Sequence, residues 1–335
     1  MKILITGATG FLGSHLVELM AKEGHEILAL VRDEEKFKKL NLPAKPIMGD
    51  LQSEHPHEWI KKLPHDLDAV IHNAGIVHSF NPRDFYDVNS RATKQLLDDL
   101  AIMFPQTLRF CLISSLSAAG PSQKKKPLKE EDKAHPIGHY GHSKHLAEIY
   151  FDKIAPASWK KTIIRPPIII GPRDEAMVDF FTMVKKGLII IPGLDGQHKE
   201  FSFVCVFDLI NTINKALLYN PKKKGPEIFF VAHPRPFTYN ELIARVTNLL
   251  KPAKRFTIIL PNFIIFLAAI INRFIHFMYP DFNFRLTPDK AMELKAPAWI
   301  CSSNKADELL SINYQWNLEQ TLQVTFDDYK NKGKI

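Results

Sequence analysis

The sequence predicts an α/β protein: a doubly wound parallel sheet with a smaller, mainly C-terminal lobe. Three observations carry that expectation. Short apolar runs rich in β-forming residues alternate with helical apolar patterns over the first half of the chain, the order that builds a parallel sheet covered on both faces. The first run, residues 2–6, turns at once into a helical pattern through Gly7, Gly10 and Gly13. Later runs end in small or hydroxyl residues, at the edge where open parallel sheets bind ligands.

Residues 2–6 are expected to form the first strand, with no room ahead of them for a signal peptide. A strand that turns sharply into a helix needs glycine where φ is unusual and where no Cβ fits. The helix start offers unpaired N–H groups and a positive dipole end, which suits a pyrophosphate. Glycines also mark plain turns, but a strand before them and Leu12, Leu16, Val17 and Met20 after them favour a dinucleotide site. That first helix is expected to end near Gly24.

Residues 25–31 read as the second strand, followed by Arg32 and Asp33. In a dinucleotide fold the residue here meets the adenosine ribose, about 20 residues beyond the glycines. An acid accepts the 2′-OH of NAD, whereas Arg32, backed by Lys36, Lys38 and Lys39, pairs with a 2′-phosphate. Register decides between Arg32 and Asp33; the basic cluster favours NADP, with NAD as the alternative. A third strand is expected around residues 46–48. Asp50 beyond it serves either the adenine amino group or the turn itself. The fourth strand begins at Asp68 and runs into Ala74 and Gly75, small enough for backbone to approach a cofactor. Val88, Asn89, Ala92, Thr93, Leu96 and Leu97 follow in helical spacing, with Asn89 either a satisfied buried amide or part of a proton relay.

The fifth strand, residues 108–113, ends in Ser114, Ser115 and Ser117 before Gly120. The loop 121–136 is rich in Lys, Glu and Pro and is expected to be exposed. Tyr140 and Lys144 then stand four apart, on one face of a helix. A phenol titrates near pH ~10, and a neighbouring ammonium favours its ionised form, so the pair is a candidate general acid or base. A surface helix is the plainer alternative.

The glycine loop, the serines ending strand five and Tyr140-x-x-x-Lys144 together resemble the extended short-chain dehydrogenase/reductase family. Motif by motif, the nearest members are the dihydroflavonol-reductase-like and 3β-hydroxysteroid-dehydrogenase-like ones. The stretches 164–172, 201–208 and 299–309 resemble later segments of that family. The resemblance implies a Rossmann-like fold over nearly the whole chain. Ser115, five before Gly120, then aligns with the catalytic Ser/Thr beside Tyr140 and Lys144. Cofactor contacts are implied for Gly7, Thr9, Gly10, Phe11, Leu12, Gly13, Arg32, Asp50, Leu51, Ala74, Gly75, Tyr140, Lys144 and Pro167. Residues 1–170 with 201–234 are expected to bind the cofactor, and 171–200 with 235–335 to form the substrate lobe. Two departures stand out: Ile71-His-Asn-Ala-Gly75 where apolar residues and alanines are commoner, and Val206-Phe-Asp208 without the usual acid one place earlier.

In the remaining chain a helix is expected from Phe180, a turn at 192–196, and a strand at 227–231 that can return to the sheet. Thr238 and Glu241 form a capping-box pattern. Residues 256–280 hold a long apolar run interrupted by Pro261-Asn262, shorter than the ~20 residues that cross a bilayer. A pocket-lining or core helix is the favoured reading. Peripheral membrane contact flanked by Lys254 and Arg273 is the second, and spanning the third.

At 335 residues the chain can bury a sizeable core as one large unit or two domains. Its three cysteines are far apart, which argues against a disulfide scaffold or zinc ribbon and fits a cytoplasmic setting. His135, His139, His142 and His145 lack the companion ligands a metal site needs, so no metal is expected. The formal net charge is +8, yet no basic run is interleaved with aromatics, so nucleic acid is not an expected partner. The expected activity is NADP-dependent interconversion of a ketone or aldehyde with an alcohol, Tyr140 acting as acid or base on a partly apolar small molecule. A nucleotide-sugar epimerase or dehydratase holding NAD is the first alternative. The second is a non-catalytic protein that keeps a cofactor. The resemblance implies a homodimer through a four-helix contact, with a monomer as the alternative.

Overall fold

The computed structural model describes residues 1–53, 55–222, 224–279 and 286–335. The first half alternates strand and helix: β1 (Lys2–Thr6), α1 (Phe11–Lys22), β2 (Glu26–Val31), α2 (Glu34–Leu40), β3 (Lys45–Met48) and β4 (Ala69–His72). Then come α3 (Pro82–Phe85), a π-helical turn (Tyr86–Arg91), α4 (Ala92–Met103), β5 (Arg109–Ile113), α5 (Leu116–Ala119), α6 (Gly138–Ile154) and β6 (Lys160–Arg165). The first helix stops two residues before Gly24, whose φ of +82° lets the chain turn back into β2.

Six of these strands and β11 (Glu227–Phe230) form one parallel sheet in the order β11-β6-β5-β4-β1-β2-β3. Alternation along β1 shows why both faces need cover. Ile3 and Ile5 pack with Leu16, Val17 and Met20 of α1, whereas Leu4 points to the other face, toward Leu96, Leu97 and Leu100 of α4 and Phe151 of α6. The returning strand expected at 227–231 is β11, and α8 (Val206–Leu218) lies beside α1 on the first face.

The later chain supplies β7 (Ile168–Ile170), α7 (Glu175–Lys185), β8 (Leu188–Pro192), β9 (Glu200–Phe201), β10 (Phe203–Cys205), β12 (Phe237–Thr238) and α9 (Tyr239–Leu250). They are followed by β13 (Phe256–Leu260), α10 (Asn262–Met278), α11 (Pro288–Lys295), β14 (Ala298–Trp299), α12 (Asn304–Leu310) and α13 (Leu318–Asn331). Phe181, Val184, Leu242, Val246, Leu322 and Tyr329 join α7, α9 and α13 in a separate apolar cluster. The Thr238 hydroxyl accepts from the Glu241 N–H at 3.2 Å and opens α9, as the capping pattern predicted.

Residues 256–279 depart from the favoured expectation of a core helix. Pro261 splits the run into a strand, β13, paired with β8, and the helix α10, which buries only Ile265, Ala269 and Asn272. Pro280, the end of that expected stretch, lies outside the described residues. Among the described residues no helix is long and apolar enough to cross a membrane.

Candidate active site

All seven strands of the sheet run parallel, so their carboxyl ends share one edge, and the expected site residues follow those ends. Gly7 has φ +67°, and a Cβ there would lie 2.9 Å from the Ala74 backbone beyond β4. A Cβ on Gly13 would stand 2.0 Å from the Gly7 carbonyl. Both clashes are with backbone, so neither position accepts a side chain without moving the loop. Gly10 precedes α1 and is exposed, and no side chain caps this helix. The first intrahelical bond is Ser14 N–H to Gly10 carbonyl at 3.0 Å, which leaves the N–H groups of Phe11, Leu12 and Gly13 open. Thr9 lies in the same turn. The cradle fits the pyrophosphate of a dinucleotide.

At the end of β2 the structure separates the two charges that register alone left joined. The Asp33 carboxylate caps α2, accepting from the Lys36 N–H at 2.9 Å. Arg32 is exposed and makes no ion pair with the described residues. Beyond β3, one Asp50 oxygen accepts from the Gln52 N–H at 3.0 Å, so the turn role is filled and one oxygen remains. Leu51 is buried beside it, and Pro167 follows β6 at the same edge of the sheet.

The centre of the edge holds Ser115, Tyr140 and Lys144. Ser115 caps α5 by accepting from the Ser117 N–H at 3.1 Å, and its side chain lies next to the Tyr140 phenol. Lys144, nearly fully buried, donates from Nζ to the Ile113 carbonyl at 2.6 Å, and Nζ lies 3.8 Å from where a Gly75 Cβ would sit. Burial, outweighing Glu148, lowers the Lys144 pKa to about 8.

One expectation is corrected here. The Lys144 ammonium faces the Ile113 carbonyl, and the cation beside the phenol is Lys290 of α11, 5.7 Å from the Tyr140 ring centre. Burial dominates over Ser115 and Lys290, and the Tyr140 pKa is raised above its ordinary value rather than lowered.

Beneath these groups lies polar support centred on Glu148 and Arg165, which no sequence pattern singled out. Glu148 receives Arg165 in a two-pronged bond, Nε to Oε1 at 2.9 Å and Nη2 to Oε2 at 2.6 Å, and Ser114 donates to Oε1 at 2.5 Å. Burial opposes ionisation, yet Arg165, His145 and Ser114 bring the Glu148 pKa down to about 2. On β4, His72 is buried and pushed down to about 3 by desolvation and, second, by Lys144. Its tautomer follows from its neighbours. Thr93 donates to the Asn89 carbonyl, so it accepts from His72 Nε2–H at 2.8 Å. Nδ1 then accepts from Thr6 at 2.7 Å, and Thr6 accepts from the Ala74 N–H at 3.1 Å. A neutral imidazole thus ties β1, β4 and α4 together.

Asn89 is the satisfied buried amide of the two readings. Its oxygen accepts from the Ile76 N–H at 2.8 Å, and its nitrogen donates to the Ile76 carbonyl and to Ser143, both at 3.0 Å. It pins the loop after β4 to the helix of Tyr140. From the other side, Asp289 of α11 accepts from the N–H of His139 at 2.5 Å and of Tyr140 at 3.2 Å, capping α6 from 149 or 150 residues away. For Glu148 the only local signal was its i, i+4 spacing from Lys144. An open recess of about 440 Å³ lies beside them, lined by Tyr86, Gly138, His139, His142 and Met292. Among the described residues no group of three or more His, Cys, Asp or Glu side chains can hold a metal.

A glycine cradle at a parallel-sheet edge, with Ser115, Tyr140 and a buried lysine next to it, is the arrangement expected from the resemblance to extended short-chain dehydrogenases/reductases. A family model described as the NAD dependent epimerase/dehydratase family matches residues 3–232, and the chain belongs to that family. A ceramide reductase of Caulobacter vibrioides is 28% identical over 190 residues, 56% of this chain and 52% of that protein. The ketoreductase azaE of Aspergillus niger is 26% identical over 264 residues, 69% of this chain and 78% of that protein. The chain spans between 52% and 62% of the length of the ceramide reductase and two further curated relatives. In fold it is similar to a UDP-glucose 4-epimerase of Thermotoga maritima solved with UDP-glucose, at TM-score 0.77 and 21% identity over 99% of both chains.

Proposed function

We propose that the protein is an NADP-dependent oxidoreductase that interconverts a carbonyl compound, ketone or aldehyde, and the corresponding alcohol. The observation that carries this reading is Ser115 next to the Tyr140 phenol at the sheet edge beside the glycine cradle, with Lys144 buried next to Gly75. When bound, the nicotinamide supplies the hydride in reduction and accepts it in oxidation. Tyr140 gives its phenolic proton to the carbonyl oxygen in reduction and takes it back in oxidation. Ser115 holds that oxygen. A phenol held above its ordinary pKa keeps its proton at neutrality, the state that reduction uses. In this role Lys144 holds the nicotinamide ribose, and the backbone N–H groups of Phe11, Leu12 and Gly13 hold the pyrophosphate. Residues 1–170 with 201–234 form the cofactor half of the proposal, and 171–200 with 235–335 the substrate half.

Arg32, exposed and without an ion pair among the described residues while Asp33 caps α2, supports NADP through its 2′-phosphate. The relatives named for ceramide and ketone reduction favour an apolar substrate. A second reading, an epimerase that holds NAD and reoxidises its own intermediate, draws support from the family match and the epimerase likeness in fold.

Two measurements decide. Fluorescence titration should show tighter binding of NADPH than NADH, lost in Arg32→Ala; equal or tighter NADH binding favours the epimerase. Tyr140→Phe should lower kcat about 10²- to 10⁴-fold while cofactor affinity holds. Unchanged turnover removes Tyr140 from the mechanism.

A further inference from the structure

The largest apolar exposure of the molecule lies on β13 and α10. Phe256, Ile258 and Ile259 project from the strand, and Phe263, Phe266, Leu267, Ile270, Ile271, Phe274 and Phe277 from the helix. Phe263, Phe274 and Phe277 are 66–80% exposed. Among the described residues α10 buries Ile265, Ala269 and Asn272, so its outward apolar surface is wider than its buried one. A face of this size needs an occupant, because water-exposed apolar patches beyond a few hundred Å² are uncommon on monomers.

Charge selects which occupant. From Lys251 to Tyr279 the chain has no acidic residue and four basic ones: Lys251, Lys254, Arg255 and Arg273. All four are exposed, and none makes an ion pair with the described residues. Lys185 and Lys186 join the cluster, because the Phe256 N–H donates to the Gly187 carbonyl at 2.8 Å. An isologous pairing of the segment 251–279 with its own copy would bring no carboxylate of that segment to these cations.

We infer that β13 and α10 form a docking surface for an anionic phospholipid bilayer. The helix lies in the interface with its phenylalanines among the acyl chains, and Lys251, Lys254, Arg255 and Arg273 contact the headgroup phosphates. At 17 residues, roughly 25 Å long, α10 rests on the bilayer and does not span it. Through α11 the docked face adjoins the candidate active site. His276 of α10 stacks on Phe80 at 3.9 Å, and α10 packs on α11, whose Met292 lines the recess.

Vesicle flotation of the full chain tests this independently of the catalytic reading. The protein should float with vesicles of mixed phosphatidylcholine and phosphatidylglycerol, less with phosphatidylcholine alone, and less at high salt. Lys254→Ala with Arg255→Ala should weaken binding about fivefold per charge, roughly 25-fold together. Phe263→Glu with Phe274→Glu should abolish it, while circular dichroism and the unfolding midpoint match wild type. Wild type that stays unbound with anionic vesicles, or a phenylalanine variant that floats as well as wild type, overturns the proposal. So does a dimer in light scattering that the phenylalanine variant splits, since a second copy then covers the face.

Discussion

The two ends of the Tyr140 neighbourhood are built on opposite principles. Under Tyr140 and Lys144 the charged and polar groups are buried and satisfied inside the chain: Glu148 by Arg165 and Ser114, His72 by Thr6 and Thr93, Asn89 by Ile76 and Ser143. On β13 and α10 large apolar groups stand in the open, and few described atoms pack on their outer side. The first arrangement holds a site rigid, because each buried polar group would cost free energy if its partner moved. The second leaves surface energy to be released on contact with something else. Rigidity and stored contact sit on either side of α11, which caps α6 through Asp289 and carries α10 on its other face.

The difference predicts very unequal responses to mutation. Glu148→Ala strands the Arg165 guanidinium in a buried setting and should cost about 3–5 kcal/mol of stability, measured by denaturant unfolding. A cost near zero would show the pair to be solvated and the rigid half of the comparison wrong. Next in size is a pH effect from His72. The folded state refuses its proton down to about pH 3, whereas the unfolded chain accepts it near 6.5. The unfolded state binds the extra proton between those values, so stability falls as pH drops through that window, by up to ~1.4 kcal/mol per unit. Glu148 adds to the loss from about pH 4.5 down to about 2. Replacing His72→Asn should flatten the slope between pH 6.5 and 5, where Glu148 contributes little. A slope that persists unchanged would assign it to other groups. Smallest of all, Phe277→Ser should change stability by less than about 0.5 kcal/mol although it removes an aromatic ring. A larger cost would mean that this face is already covered in solution.

Much of the fold was legible because its signals are local. Short continuous apolar runs gave way to helical spacing, and the glycines at 7, 10 and 13 marked the first turn, so the cofactor edge could be read from neighbours in sequence. The candidate site was half legible. Ser115, Tyr140 and Lys144 follow a motif, and the fold brings them to one edge. The charge that faces the phenol was not legible, since Lys290 arrives from about 150 residues away and nothing at its position announces Tyr140. The apolar run at 256–279 misled for a related reason. Hydrophobicity states a demand for burial and does not say against what; here the protein's own core accepts only three residues of α10.

The sequence by itself determined the strand order's raw material, the glycine cradle and the Tyr-x-x-x-Lys face, because each depends on residues within a few turns of one another. Tertiary structure alone decided that Asp33 caps a helix and leaves Arg32 open, that His72 is neutral, that Lys144 turns to the Ile113 carbonyl, and that β13 and α10 point outward. Those outcomes depend on the field and packing of groups far apart in the chain, and such distances carry no local signature.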